Sequence, residues 1–212
     1  QTGVALLLSY LLWTLSKTYQ QGYIRNWLIA LFAFALYQAG ILLQLLSTQS
    51  PLLMMVLQFI TVTSSYVFAV FLLRGMLLVR DSTNKVVTGV SASKVMFFLV
   101  IVGAVNTLPF DLNPALQDWQ NYFQDQIRLL VMGGLLLTAA VSLLHRMEQT
   151  LGQRLAIVVL CFWGVLYIGY SLWMVLGNLA EFDEKLRLIY KCIELFLLCS
   201  LGLALLIWLH EQ

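Results

Sequence analysis

Seven long apolar stretches fill nearly all of the chain, and the short polar links between them alternate in the sign of their charge. A water-soluble fold cannot hide that much apolar surface in one core. Of the 212 residues, 61% are hydrophobic and 10% charged, against about 45–50% and about 25% in a soluble domain. Lipid accepts such a chain because the bilayer interior is itself apolar. The chain therefore reads as all-α and polytopic: a seven-helix membrane bundle, one domain over residues 1–212. Strand-type alternation is missing from the apolar stretches, which argues against an outer-membrane barrel.

A span needs about 20 apolar residues. The expected spans are 3–18, 27–48, 51–79, 94–109, 124–147, 153–177 and 185–209. The first and fourth are short, and the third is long enough to project beyond the lipid on its Arg74–Arg80 side. The links after spans 1, 3 and 5 and their flanks hold Lys17, Arg25, Arg74, Arg80, Lys85, Lys94, Arg146 and Arg154. Those after spans 2, 4 and 6 hold fewer cations (Arg128, Lys185, Arg187) and most of the acids: Asp111, Asp118, Asp125, Glu181, Asp183 and Glu184. Positively charged links stay in the cytoplasm, so the N-terminus is expected outside and the C-terminus inside. The chain opens at Gln1 and closes within a helical pattern, so it is expected to be a piece of a longer protein.

The link between spans 4 and 5 has structure of its own. Asn113-Pro114 reads as an N-cap followed by proline at the first helical position. Leu116, Trp119, Tyr122 and Phe123 then recur at helical spacing. This predicts a short helix in the headgroup zone, either a lid over an outward-facing pocket or an interfacial anchor. At the other end, Ile207 to Gln212 contains neither Gly nor Pro, so the seventh helix has no stop signal.

Ionisable residues inside a bilayer are costly, and they usually have a partner or a purpose. Lys191 and Glu194 lie in span 7 at i,i+3 spacing, which lets them pair on one helix face. Arg128 is near the outer end of span 5. With each helix's direction assigned, the outer halves gather Gln38 and Gln44, Gln58 and Thr61, Asn106, Arg128, Tyr167, Tyr170 and Trp173, and Lys191 and Glu194. One reading is a ligand pocket open to the outside, aromatic-walled, with Arg128 or Lys191 meeting an acidic or carbonyl group. The other is that these amides and hydroxyls join helices to one another.

Other chemistry is missing. No basic run or phosphate loop points to nucleic acid. His145 and His210 fall far apart without a second ligand at metal spacing, and no nucleophile has a base beside it, so no cofactor, metal or catalytic site is expected. Cys161, Cys192 and Cys199 all lie in apolar stretches, where thiols pack rather than pair. A retinal protein needs a more central lysine in span 7 and a carboxylate in span 3. A G-protein-coupled receptor needs a proline in spans 6 and 7. The chain has neither set.

The link into span 2 reads Tyr23-Ile24-Arg25-Asn26-Trp27-Leu28. It resembles the Tyr-x-Arg-x-Trp entry of multi-span sensor modules in bacterial membrane histidine kinases and diguanylate cyclases. The long third helix with Arg74-Gly75 and the unterminated seventh helix are similar to that pattern. The resemblance implies signal reception in the bacterial inner membrane and a cytoplasmic output domain in cis; the small-molecule ligand from the outer side comes from the pocket reading of the polar residues. It also implies a homodimer, and ligand binding in the outer half is expected to tilt or rotate span 7. A small transporter or a structural subunit of a membrane complex is the alternative.

Overall fold

The computed structural model describes residues 1–19, 22–46, 51–80, 91–107, 114–144, 150–176 and 183–211. All regular structure among them is α-helical: α1 (Thr2–Tyr19), α2 (Gly22–Leu46), α3 (Pro51–Arg80), α4 (Ala92–Thr107), α5 (Pro114–Leu144), α6 (Leu151–Leu176) and α7 (Asp183–His210). Each helix covers one of the seven apolar stretches. The largest departure is α5, which begins at Pro114 rather than near 124 and runs unbroken to Leu144. Proline is pre-organised for the first helical turn, and no later residue breaks the helix, so the expected headgroup helix is the opening of α5 itself. The side chains of its aromatics, and Asn113, lie outside the described residues, as does His145.

Among the described residues, five helices are long and apolar enough to cross a membrane: Gly22–Gln44, Leu52–Leu78, Asp125–Leu144, Leu151–Trp173 and Leu188–His210. Two shorter apolar helices, Thr2–Leu15 and Ala92–Thr107, accompany them. At about 1.5 Å per residue α4 reaches roughly 24 Å, short of the roughly 30 Å hydrocarbon layer. The outer surface is apolar as well. Phe97, Phe98, Phe162, Phe196, Leu52 and Leu188 are all exposed, a surface suited to lipid rather than water.

The chain divides into two compact units, Gln1–Arg128 and Leu129–Gln212. In the first, α2 and α3 form an antiparallel pair, flanked by α1 on α2 and α4 on α3. Phe34 meets Phe68 with ring centroids 4.9 Å apart. Trp27 is fully buried, and its indole lies so close to Gly75 that a Cβ there would overlap the ring. Tyr23 packs on Trp27 at 4.9 Å, while Arg25 stays exposed. The aromatic residues of the Tyr23–Trp27 segment thus dock α2 on α3.

In the second unit α6 packs along α7, and α5 meets α6 glycine to glycine. A Cβ on Gly164 would stand 2.9 Å from the Gly133 carbonyl oxygen and 2.7 Å from Leu137 Cγ, and one on Gly133 would stand 2.8 Å from the Gly164 carbonyl oxygen. Lipid tails are as apolar as leucine, so burial does little to drive helices together in a bilayer. Close backbone approach, with its dispersion contacts, supplies much of the attraction.

Candidate functional site

The second unit holds a fully buried carboxylate. Glu194 of α7 has a side chain of 0% exposure, against 30% for Lys191. The i,i+3 spacing brings the Lys191 ammonium to Glu194 Oε2 at 2.8 Å. Tyr167 of α6 donates its hydroxyl to the other oxygen, Oε1, at 2.7 Å. Both oxygens are therefore held, one by the same helix and one by its neighbour. Such short bonds to an ionised acceptor are the strong kind. Glu194 lies about 9 Å along the apolar segment that begins at Leu188, by the helical rise. At that depth an unbonded charge would be expensive.

Tyrosines line this pair. Tyr190 stacks on Tyr170 with centroids 4.4 Å apart and lies 6.2 Å from Tyr167. Trp163, fully buried, meets Tyr167 edge-on at 6.2 Å. The Lys191 ammonium is also 5.4 Å from the Tyr190 ring centroid, within cation–π range. Tyr190 is a member the sequence reading missed. It precedes Glu194 by four residues and so shares its helix face, a spacing that would have found it.

The first unit carries a second polar group. Arg128 pairs with Asp125 at 3.0 Å, the side chains being 12% and 56% exposed, and its guanidinium lies 5.9 Å from the Tyr37 ring centroid. Gln44 of α2 donates to Thr61 Oγ1 of α3 at 3.2 Å, and that hydroxyl donates to the Leu57 carbonyl at 2.7 Å. Gln38 is buried and Gln58 half-buried. Asn106 turns back to the Val102 carbonyl of its own helix at 3.0 Å. Ser9, Thr14, Thr107, Thr138 and Ser142 do likewise, as short polar side chains do where water is scarce. Trp173, expected in a pocket wall, is 52% exposed.

The structure thus brings Tyr167, Tyr170, Lys191 and Glu194 together in one unit, and Thr61 with Gln44, and Arg128 with Tyr37, in the other. Among the described residues no group of three His, Cys, Asp or Glu side chains is placed to hold a metal. Cys192 and Cys199, expected to pack, are exposed free thiols, and Cys161 is half-buried. Comparison with protein families, curated proteins and solved structures finds no match.

Proposed function

We propose that the chain is a seven-span sensing module of a bacterial membrane receptor, with its N-terminus outside and its C-terminus cytoplasmic. It takes a small amphipathic or anionic ligand in the outer half and relays binding to a cytoplasmic histidine kinase or diguanylate cyclase, as a homodimer. One observation carries this reading: the buried Glu194 carboxylate, held by Tyr167 from a neighbouring helix and by a Lys191 that is still partly exposed. Partial exposure lowers the desolvation cost of the Lys191 ammonium, and it also leaves that cation open to a second anion. Here the ammonium is reachable, and an arriving anion competes with Glu194 for it. The Tyr170–Tyr190 stack offers a flat wall to the apolar part of such a ligand. A ligand shifts an equilibrium only by its differential affinity for two states. Breaking the Lys191–Glu194 pair is such a difference.

The test uses decanoate and uncharged decanol on the purified chain in lipid nanodiscs. Decanoate, and not decanol, is expected to raise the thermal midpoint, and Lys191→Met to lose that response. Equal responses to both, or none, would sink the anion reading. Decanoate uptake into proteoliposomes would instead favour a transporter. The seven-span count turns on the two shorter helices, α1 and α4, and the crossing of α4 can be tested by labelling. Cysteines at Lys17 and Lys185 are expected to label from opposite faces of the membrane. Labelling from the same face would mean that α4 does not cross.

A further inference from the structure

We infer that α6 and α7 move as one body, locked in a single antiparallel register by two carboxylates, with Glu211 as a separate latch that ties the last turn of α7 to the first turn of α6. The inference does not rest on the sensing proposal; it holds equally for a transporter or a subunit.

The register is read from contacts at two heights. Tyr167 meets Glu194. Further along, Gly152 lies against the Trp208 backbone, so close that a Cβ there would stand 2.7 Å from the Trp208 Cβ. Stepping from Tyr167 back to Gly152 along α6 matches stepping from Glu194 forward to Trp208 along α7. Each step is about 15 residues, or roughly 22 Å at the helical rise. Neither helix slips relative to the other over that length. A one-turn slide of about 5.4 Å would break the bond to Glu194 and drive a side chain into the Gly152 contact.

The latch follows from counting the amides at the start of α6. A helix leaves its first N–H groups without partners on the helix itself. The Arg154 amide reaches the Thr150 carbonyl at 3.0 Å, which closes the first turn. Gln153 donates to the Thr150 hydroxyl oxygen at 3.4 Å, so Thr150 is the N-cap. The Leu151 and Gly152 amides remain, and both donate to Glu211: to Oε1 at 3.1 Å and Oε2 at 3.0 Å. One carboxylate from beyond the end of α7 thus satisfies the two amides that Thr150 leaves over. A negative charge is also favoured at the positive end of the α6 dipole. Hydrogen bonding from the Thr150 hydroxyl, then from the Gly152 and Leu151 amides, holds the Glu211 carboxyl below the usual range, with the His210 charge adding a little. The Glu211 amide still bonds the Ile207 carbonyl at 3.1 Å, so the latch is built on helical backbone rather than on a tail. Any motion of α7 relative to α6 has to open it. A signal travelling along α7 therefore carries α6 with it, rather than tilting or rotating α7 alone.

Double electron–electron resonance on the full chain in nanodiscs tests this, with Cys161, Cys192 and Cys199 replaced by serine. One label pair replaces the exposed Arg154 and His210 at the latch, and the other the exposed Leu172 and Ile189 at the far end. Both pairs are expected to give narrow distance distributions. Glu211→Ala should at least double the width for 154/210 and leave 172/189 unchanged. Glu211→Gln, which keeps one acceptor oxygen, should fall between. A 154/210 distribution unchanged by Glu211→Ala, or already broad in the parent, overturns the latch. Equal broadening of both pairs overturns it too, because the two ends would then not be locked separately.

Discussion

Alanine at Gly164 or Gly133 tests the contact between α5 and α6 directly. The new methyl on Gly164 meets the Gly133 carbonyl oxygen at 2.9 Å and Leu137 at 2.7 Å, where ordinary van der Waals contact begins near 3.4 Å. Leucine can change rotamer. The carbonyl oxygen belongs to backbone and cannot move alone, so α5 has to back away by about half an ångström. Overpacking of that kind costs about 1–3 kcal/mol. Alanine also removes the helix penalty of glycine, worth about 1 kcal/mol in water, so the net loss is about 0–2 kcal/mol.

The neighbouring Gly134 supplies the control, because nothing lies within 4 Å of a Cβ there. Gly134→Ala carries the same propensity gain with no clash, and the difference between the two adjacent variants isolates packing at about 1–3 kcal/mol. Reversible unfolding in mixed micelles, followed by tryptophan fluorescence, measures it. Gly169→Ala, also in open space, serves as the control for Gly164→Ala. Stabilities of Gly133→Ala and Gly134→Ala within about 0.5 kcal/mol of each other would refute the close approach, since surface changes fall in that range.

Lys191→Met leaves the Glu194 carboxylate buried without its cation. It is expected to lower stability by about 1–3 kcal/mol, less than the about 3–5 kcal/mol of a fully buried pair, because Lys191 keeps 30% exposure; the double variant Lys191→Met with Glu194→Gln should recover most of that in the same unfolding assay. Tyr167→Phe removes the 2.7 Å bond to Glu194 and should lower stability by about 1.5–3 kcal/mol, the range for hydrogen bonds to charged groups. The Glu211 latch should depend on pH with a fixed sign. Its folded carboxyl titrates lower than usual, so its contribution is complete above the ordinary glutamate range and is lost as pH falls through the lower folded value. The 154/210 distance distribution should therefore broaden on acidification in the parent and show no such response in Glu211→Ala.

The long helices were legible because an apolar run of 20–27 residues has few alternatives to helix in lipid. The Lys191–Glu194 pair was legible for the same reason, since i,i+3 spacing within one helix needs no knowledge of its neighbours. Direction around the helix was not. Topology gives each residue a height along its helix and says nothing of which way it faces. Asn106 and Trp173 were grouped with the outer-half polar residues on height alone. One bonds its own helix and the other is exposed. Tyr167 turns toward Glu194 because α6 and α7 pack in one particular register, which no single segment encodes. The cap at Thr150 was written in the chain as Thr-x-x-Gln ahead of an apolar run. The other acceptor for that turn, Glu211, lies 60 residues beyond Leu151, and only the fold supplies it.

The two antiparallel pairs are held by different chemistry, and the difference bears on what each can do. In α2–α3 the contacts include rings and a glycine, Trp27 on Gly75 and Phe34 on Phe68, beside a neutral hydrogen bond from Gln44 to Thr61. Apolar packing of this kind loses energy gradually as atoms separate, and other apolar surfaces, lipid included, substitute for it in part. In α6–α7 the register is fixed by Glu194 and Glu211. A one-turn slide takes from Glu194 the Tyr167 hydroxyl while its side chain stays buried, and takes from Glu211 the two α6 amides. The cost of that mispairing rises as a step. A step-like penalty specifies one register, which is the best-attested use of a buried polar group. It also makes the pair respond to charge: whatever neutralises or recruits Lys191, Glu194 or Glu211 changes the register energy at once. The α6–α7 pair therefore has a chemical input that α2–α3 contacts of rings and glycine do not provide.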